Sequence, residues 1–251
     1  MSPIAISAIV FACVFGGALL GISLHSLLKT DHLAPESKEA VRLGMALVAT
    51  TVALVLGLLI ASAKGFYDTG NTEMTQLAAD AVLMDRILAH YGPETQEARA
   101  SLRNSVTRLV DFDGSKSAFG KTRFDPNAQE QDSLYDKIQA LVPANEGQRH
   151  LQAKALEVAT EIGHTRWLMF EQKTTPLPTP LLGMLVFWLT LLFISFAMFV
   201  RPNAVIVISL LFSAMALAGA IFLIAEMYQP YSGLIQVSDA PLRAALAQLG
   251  R

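Results

Sequence analysis

The sequence predicts an all-α fold: four transmembrane helices with a helical extramembrane bundle inserted between the second and third spans. Three observations carry this. The chain is 53% hydrophobic and 16% charged, whereas a soluble domain is about 25% charged. The charge is also segregated. Residues 64–173 hold 13 of the 19 Lys and Arg, which leaves long uncharged tracts on either side free to enter lipid. Within that polar middle, apolar residues recur at intervals of three and four, the period of an amphipathic helix.

The first span is AISAIVFACVFGGALLGISLHSLL, residues 5–28, and the second is LGMALVATTVALVLGLLIASA, residues 43–63. The third is LLGMLVFWLTLLFISFAMFV, residues 181–200, and the fourth AVIVISLLFSAMALAGAIFLIA, residues 204–225. Each meets the ~20 residues a helix needs to cross ~30 Å of hydrocarbon. The first tract lacks a basic leader and exceeds the ~7–15-residue apolar core of a secretory signal, so it is expected to remain as a span. Its Cys13 is the only cysteine, which excludes a disulfide within one chain. A net charge of -2 without a basic run makes nucleic acid an unsuitable partner. The lipid bilayer is the expected one.

In the polar middle, residues 73–91 place Met74, Leu77, Ala78, Ala81, Met84, Leu88 and Tyr91 on one helix face. Only Gly65 and Gly70 punctuate the stretch from Lys64 to Glu73, so the second span is expected to run on into this helix. Gly92 ends it, and Pro93 opens the next, where a missing N–H costs nothing. That helix buries Ala98, Leu102, Val106 and Leu109. Residues 112–130 carry turn formers without a period and read as an exposed loop. Asp132 is expected to cap a short helix carrying Leu134, Ile138 and Leu141. Asn145 and Gln148 have the spacing of a capping box opening a long helix to about residue 172, with Leu151, Ala155, Val158, Ile162 and Met169 inward. PLPTP, 176–180, breaks the chain before the third span.

The expected divisions are therefore 1–64 (spans one and two), 65–175 (the helical domain), 176–228 (spans three and four) and a tail, 229–251. Four spans put the helical domain on the same side as both termini. Lys and Arg near the membrane are balanced, with Lys64, Arg166, Lys173 and Arg243 on that side and Lys29, Lys38, Arg42 and Arg201 on the other. The positive-inside rule therefore assigns no orientation.

No catalytic or cofactor motif emerges. GSKSAFGKT, 114–122, has five residues between its glycines where a phosphate loop has four, and DFDG, 111–114, lacks the remaining ligands of a calcium loop. The histidines are not paired at metal-ligand spacing, and no Ser or Cys sits in a nucleophile-elbow context. Neither an enzyme nor a bound cofactor or metal is expected.

The second span is more informative. Ala46, Ala49, Thr50, Ala53, Gly57 and Ala61 form a stripe of small side chains, with Arg42 and Lys64 on the same stripe at its ends. These cations stand about 33 Å apart with only ~40° of rotation between them. A thin face with a cation at each mouth suits a pore-lining helix that draws in small inorganic anions; small stripes equally serve close helix packing. The pairs Ala12/Gly16 and Gly17/Gly21 in the first span read as packing, and Ser209, Ser213, Ala216 and Ala220 form a comparable stripe in the fourth. Glu226 closes the fourth span, where the helix dipole disfavours a carboxylate. Two readings stand: charge compensation by Lys64 at the same membrane level, with a gating role, or a solvated interfacial acid.

These segments resemble the bestrophin-like membrane proteins of bacteria and plants. The matching stretches are SKEAVRLGMALVATTVALVLGLLIASAK (37–64), MDRILAHYGPE (84–94) and AGAIFLIAEMYQPYSGLIQVSDAPLRAALAQLG (218–250). The resemblance implies a distant relation to bestrophins, which are pentameric anion channels with four spans and a cytosolic helical domain between the second and third. It implies a homo-oligomer, a multi-pass place in a bacterial inner membrane, and a cytoplasmic helical domain. Bestrophins' calcium clasp has no counterpart that matches residue by residue, and a second span without Phe, Tyr or Trp shows no aromatic neck. The alternative function is a non-conducting membrane scaffold or sensor whose helical domain binds a partner.

Overall fold

The structure, a computed structural model, describes residues 2–27, 35–111, 130–174, 178–200, 203–231 and 233–250. The described residues form α-helices and no strands: α1 (Pro3–Leu27), α2 (Pro35–Tyr91), a 3₁₀ turn (Pro93–Thr95), α3 (Gln96–Asp111), α4 (Glu130–Gln139), α5 (Glu146–Thr174), α6 (Thr179–Met198), α7 (Ala204–Met227) and α8 (Ala240–Leu246). α1, α2, α6 and α7 are long and apolar enough to cross a membrane. The loop at 112–129, including most of both near-miss motifs, lies outside the described residues, as do Lys29 and Arg201.

The chain divides into two compact units, Met1–Phe66 with Pro176–Tyr228, and Tyr67–Thr175 with Gln229–Arg251. In the first, α1 packs on α6 and α7. Val10, Val14 and Ala18 of α1, Val52, Leu59 and Ala63 of α2, Leu185, Leu189 and Phe193 of α6, and Ala214, Ile221 and Ile224 of α7 form its core. Close approach depends on two glycines. A Cβ on Gly17 would lie 2.8 Å from Thr190 Cγ2, and one on Gly21 would run into the Ile194 carbonyl oxygen and sit 2.8 Å from Ala197 Cβ. The Gly17/Gly21 pair is thus a packing face, as small-xxx-small spacing implies. Ala12/Gly16 makes no such contact within the protomer: Ala12 is exposed and a Cβ on Gly16 would meet nothing within 4 Å. His25 Nδ1, 2.8 Å from the Met198 carbonyl oxygen, ties the last turn of α1 to the end of α6.

Gly21→Val should therefore cost about 3 kcal/mol or more, because the obstacle is backbone and cannot rotate away. Thermal unfolding of the detergent-solubilised protein measures it. Gly16→Ala, with open space around it, should instead raise the melting temperature slightly, since alanine favours a helix interior over glycine by about 0.5–1 kcal/mol.

In the second unit, every inward position expected for residues 73–91 is buried: Met74, Leu77, Ala78, Ala81, Met84, Leu88 and Tyr91. These belong to α2 itself, which continues without a break through Gly65 and Gly70. The helix stops at Gly92, whose φ of 140° no branched side chain would adopt. Ala98, Leu102, Val106 and Leu109 of α3 meet them, with Leu134 and Ile138 of α4 and Ala155, Val158, Ile162 and Met169 of α5. Leu141 and Leu151 pack at the margin of this cluster.

Two cap assignments need correction. α4 begins at Glu130, so Asp132 lies inside the helix rather than at its cap; helix ends are the least constrained part of a periodic pattern. At α5, Asn145 Oδ1 accepts the Gln148 N–H at 2.8 Å, but Gln148 Oε1 reaches back to the N–H of Ala144, not of Asn145. Its Nε2 meanwhile donates to the Tyr91 carbonyl at 2.9 Å, joining the start of α5 to the end of α2.

The C-terminal segment completes this core. Val237, Leu242, Ala245 and Leu249 are buried in it, and α8 packs on α3. Upstream, Tyr231 donates to Glu73 Oε2 at 2.9 Å.

Candidate functional site

At 100° per residue, the spanning part of α2 shows three faces. Val52, Leu59 and Ala63 point into the protomer. About a third of a turn away lies the small-residue stripe: Arg42, Ala46, Thr50, Ala53, Gly57, Ala61 and Lys64 are all exposed, and Ala49 at its margin is half-buried. A Cβ on Gly57 would meet nothing within 4 Å. The third face carries Leu43, Leu47, Leu54 and Leu58, also exposed. Of the four candidate spans, α2 is the least enclosed by its own chain: its most apolar window is 11% buried, against 28%, 33% and 17% for α1, α6 and α7.

The stripe therefore does not pack against the protomer's other helices. Thr50 Oγ donates to the Leu47 carbonyl at 2.7 Å, and Thr51 Oγ donates to the same oxygen at 3.0 Å. Each hydroxyl thus spends its proton on the helix and presents an acceptor oxygen outward. In α7, Ser209, Ser213 and Ala216 are exposed and Ala220 is half-buried.

Glu226 is 2% exposed, which removes the reading of it as a solvated interfacial acid. The polypeptide that follows is fastened to α2. Tyr228 OH lies 2.8 Å from Ser62 Oγ, and its ring sits 4.9 Å from that of Phe66. The end of α7 is thereby seated on the Ser62–Phe66 turn of α2, the turn that contains Lys64. Tyr228, two residues beyond Glu226, thus meets the turn that carries Lys64, while Arg42 lies at the opposite end of the stripe.

Sequence periodicity overlooked two buried acids in the helical unit, well beyond the spanning part of α2. Asp85 accepts from Arg99 Nε at 2.7 Å and Nη2 at 2.9 Å and from the Gly250 N–H at 3.1 Å. Burial works to raise the Asp85 pKa, but the Arg99 hydrogen bonds and the Gly250 N–H together outweigh it and hold the carboxyl below its usual range. Asp80 is buried as well. Both occupy positions adjoining Ala81, Met84 and Leu88 on the helical wheel, a signal that was present in the sequence. Among the described residues, no group of three or more His, Cys, Asp and Glu is placed to hold a metal ion.

No curated protein matches the chain. Its fold is similar to the crystal structure of a bacterial bestrophin homolog from Klebsiella pneumoniae carrying one isoleucine-to-threonine mutation, with a TM-score of 0.64 at 12% identity, covering 96% of this chain and 97% of that one. The sequence profile of the Bestrophin-like domain matches residues 12–242. With four apolar helices, a second helix continuous with the helical unit and a profile match over nearly its whole length, the chain belongs to the bestrophin-like family.

Proposed function

We propose that the protein is an oligomeric membrane ion channel, anion-conducting, with a pore lined by the small-residue face of α2. The observation that carries this reading is the exposure of that face from Arg42 to Lys64, with only Ala49 at its margin half-buried, on the span least enclosed by its own chain. A helix of this kind finds its neighbours in other copies: the leucine face abuts the next subunit, and the thin face turns to the axis. Membership of the bestrophin-like family supports a channel, and the bestrophin relation supports a pentamer with the helical domain in the cytoplasm.

In that assembly Arg42 forms a cationic ring at one mouth, attracting anions by the field that repels cations. Lys64 marks the other mouth. In this reading Glu226, at the end of α7, offsets part of its charge, so that an anion is not held too tightly to leave. Conduction needs that balance between entry and release.

Purified protein in planar bilayers tests the proposal. Arg42→Glu is expected to move the reversal potential in a salt gradient toward cation preference. An Arg42→Glu protein that conducts with unchanged ion preference would remove α2 from the path. The scaffold or sensor reading predicts no conductance from correctly assembled wild-type protein.

A further inference from the structure

Three stretches of the helical unit adjoin the spans in sequence: the continuation of α2 beyond Lys64, the last turns of α5, and the segment that follows α7. The third is fastened to the first. Tyr67 OH donates to the Gln236 carbonyl at 3.4 Å, and Tyr231 OH donates to Glu73 Oε2 at 2.9 Å. Leu234 lies between these two ties with its side chain outward, 77% exposed. The apolar run of α2 ends at Ala63, and Tyr67 and Glu73 stand about 6 and 15 Å further along the helix axis. The polar layer of a bilayer begins where such a run ends and is ~5–8 Å deep. Leu234 is therefore held at the outer edge of that layer, within reach of a side chain.

α5 records a change of surroundings along its outer face. From Lys154 to His164 its exposed residues are all polar: Lys154, Glu157, Thr160, Glu161 and His164. One turn later Trp167 is 51% and Leu168 39% exposed, and the Phe170 ring centroid lies 5.9 Å from that of Trp167. The helix runs back toward the spans, with His164 lining the same groove as Gln76 of α2. Trp167, nearly a turn closer to the span, is thus near the level of Glu73. Only four residues then separate the end of α5 at Thr174 from the start of α6 at Thr179.

Trp167 and Leu234 belong to segments far apart in the chain and share a depth. A common depth is what a planar partner imposes, whereas contact with a second copy requires none. We propose that Trp167, Leu168 and Leu234 are seated in the headgroup layer of the bilayer, so that the span-proximal end of the helical unit is anchored in lipid. Tryptophan suits this layer because its ring is apolar while its N–H seeks an acceptor, which the lipid ester carbonyls supply. The anchor is independent of whether α2 lines a pore.

Tryptophan fluorescence of the full-length protein in phosphatidylcholine nanodiscs, which leave both faces open to solutes, tests it. Trp188→Phe leaves Trp167 as the only tryptophan, with Trp188→Leu as the alternative background should the first not fold. Trp167 is expected to lose most of its emission to lipid brominated close to the glycerol, and little to lipid brominated near the acyl methyl end or to aqueous iodide. Leu234→Trp, in a protein without Trp167 and Trp188, should behave in the same way. Val142→Trp in that background is the control: position 142 is 88% exposed and lies beyond the far end of α5, so iodide should quench it and brominated lipid should not. Quenching of Trp167 or of Leu234→Trp by iodide as strongly as Val142→Trp would place the site in water and overturn the proposal. Shielding of either position from both lipid and iodide, in a variant with a wild-type melting temperature, would overturn it as well, since protein from a second copy would then cover the site.

Discussion

Phenylalanine in place of Gly57 is expected to silence conductance while leaving the protomer folded. A side chain at this position starts in open space, so no neighbour within the chain has to move, and replacing glycine in a helix interior favours the helix by up to ~1 kcal/mol. In an oligomer with the α2 stripe at its axis, every copy would place an aromatic ring at the same depth of a path otherwise lined by Ala46, Thr50 and Ala53. Such an apolar constriction dewets and closes to ions, and the current per reconstituted protein should fall at least about tenfold. Leu54→Phe lies on the leucine face and should conduct. Unreduced current through a Gly57→Phe protein with a wild-type melting temperature would show that the stripe faces something other than the path.

Asp85→Ala is expected to destabilise the helical unit by about 3 kcal/mol and to release the C-terminal segment. Removing the carboxylate leaves the Arg99 guanidinium, only 23% exposed, without its partner, and breaking such a pair costs about 3–5 kcal/mol when fully buried; the partial exposure sets the lower figure. The Gly250 N–H loses its acceptor in the same step. Limited proteolysis should then cut within residues 240–250 well before the wild type is cut there. Arg243→Ala is the control: its ion pair with Asp239 is exposed, and loss of such a pair costs under about 1 kcal/mol.

The pH dependence follows from the direction of the shift. The folded state holds the Asp85 carboxyl below its usual pKa, so its contribution is fully present above the unfolded value of about 3.9 and is lost as the pH falls through the depressed one. Wild type and Asp85→Asn should differ in stability at neutral pH, and the difference should begin to shrink below about pH 4 and vanish only once the pH passes the depressed folded value, as followed by chemical denaturation. A difference that does not shrink at all as the pH falls below about 4 would mean that the aspartate contributes through packing rather than through its charge.

Much of the candidate site was legible in the sequence because its signal is local. The small stripe of α2, its cationic ends and the unbroken passage into residues 73–91 all depend on spacing along one helix, which a fixed 3.6-residue period converts directly into a face. Which way that face points is another matter. Ala12/Gly16 and Gly17/Gly21 have the same spacing, yet only the second pair meets α6, because contact depends on where another helix lies. The readings of Asp132 and of the Gln148 end of its capping box were displaced by a residue or two for a related reason: cap geometry is chosen among near-equal alternatives by the contacts each allows, such as the Gln148 bond to Tyr91.

Composition and period were enough to read a membrane protein, four apolar spans and the inward face of each helix in the polar middle. Transfer of a side chain between water and an apolar medium is a property of composition, and helical period is a property of the backbone; neither needs a partner. The burial of Glu226, and the contact of Tyr228 with the Ser62–Phe66 turn of α2, emerge only once the helices are packed. Packing likewise sets the contact of Gly250 with the Asp85–Arg99 pair and leaves the α2 stripe uncovered by its own protomer. Each of these is a contact between residues far apart in the chain. Its energy depends on what stands opposite, and for a buried carboxylate the partner, rather than the residue, sets the sign.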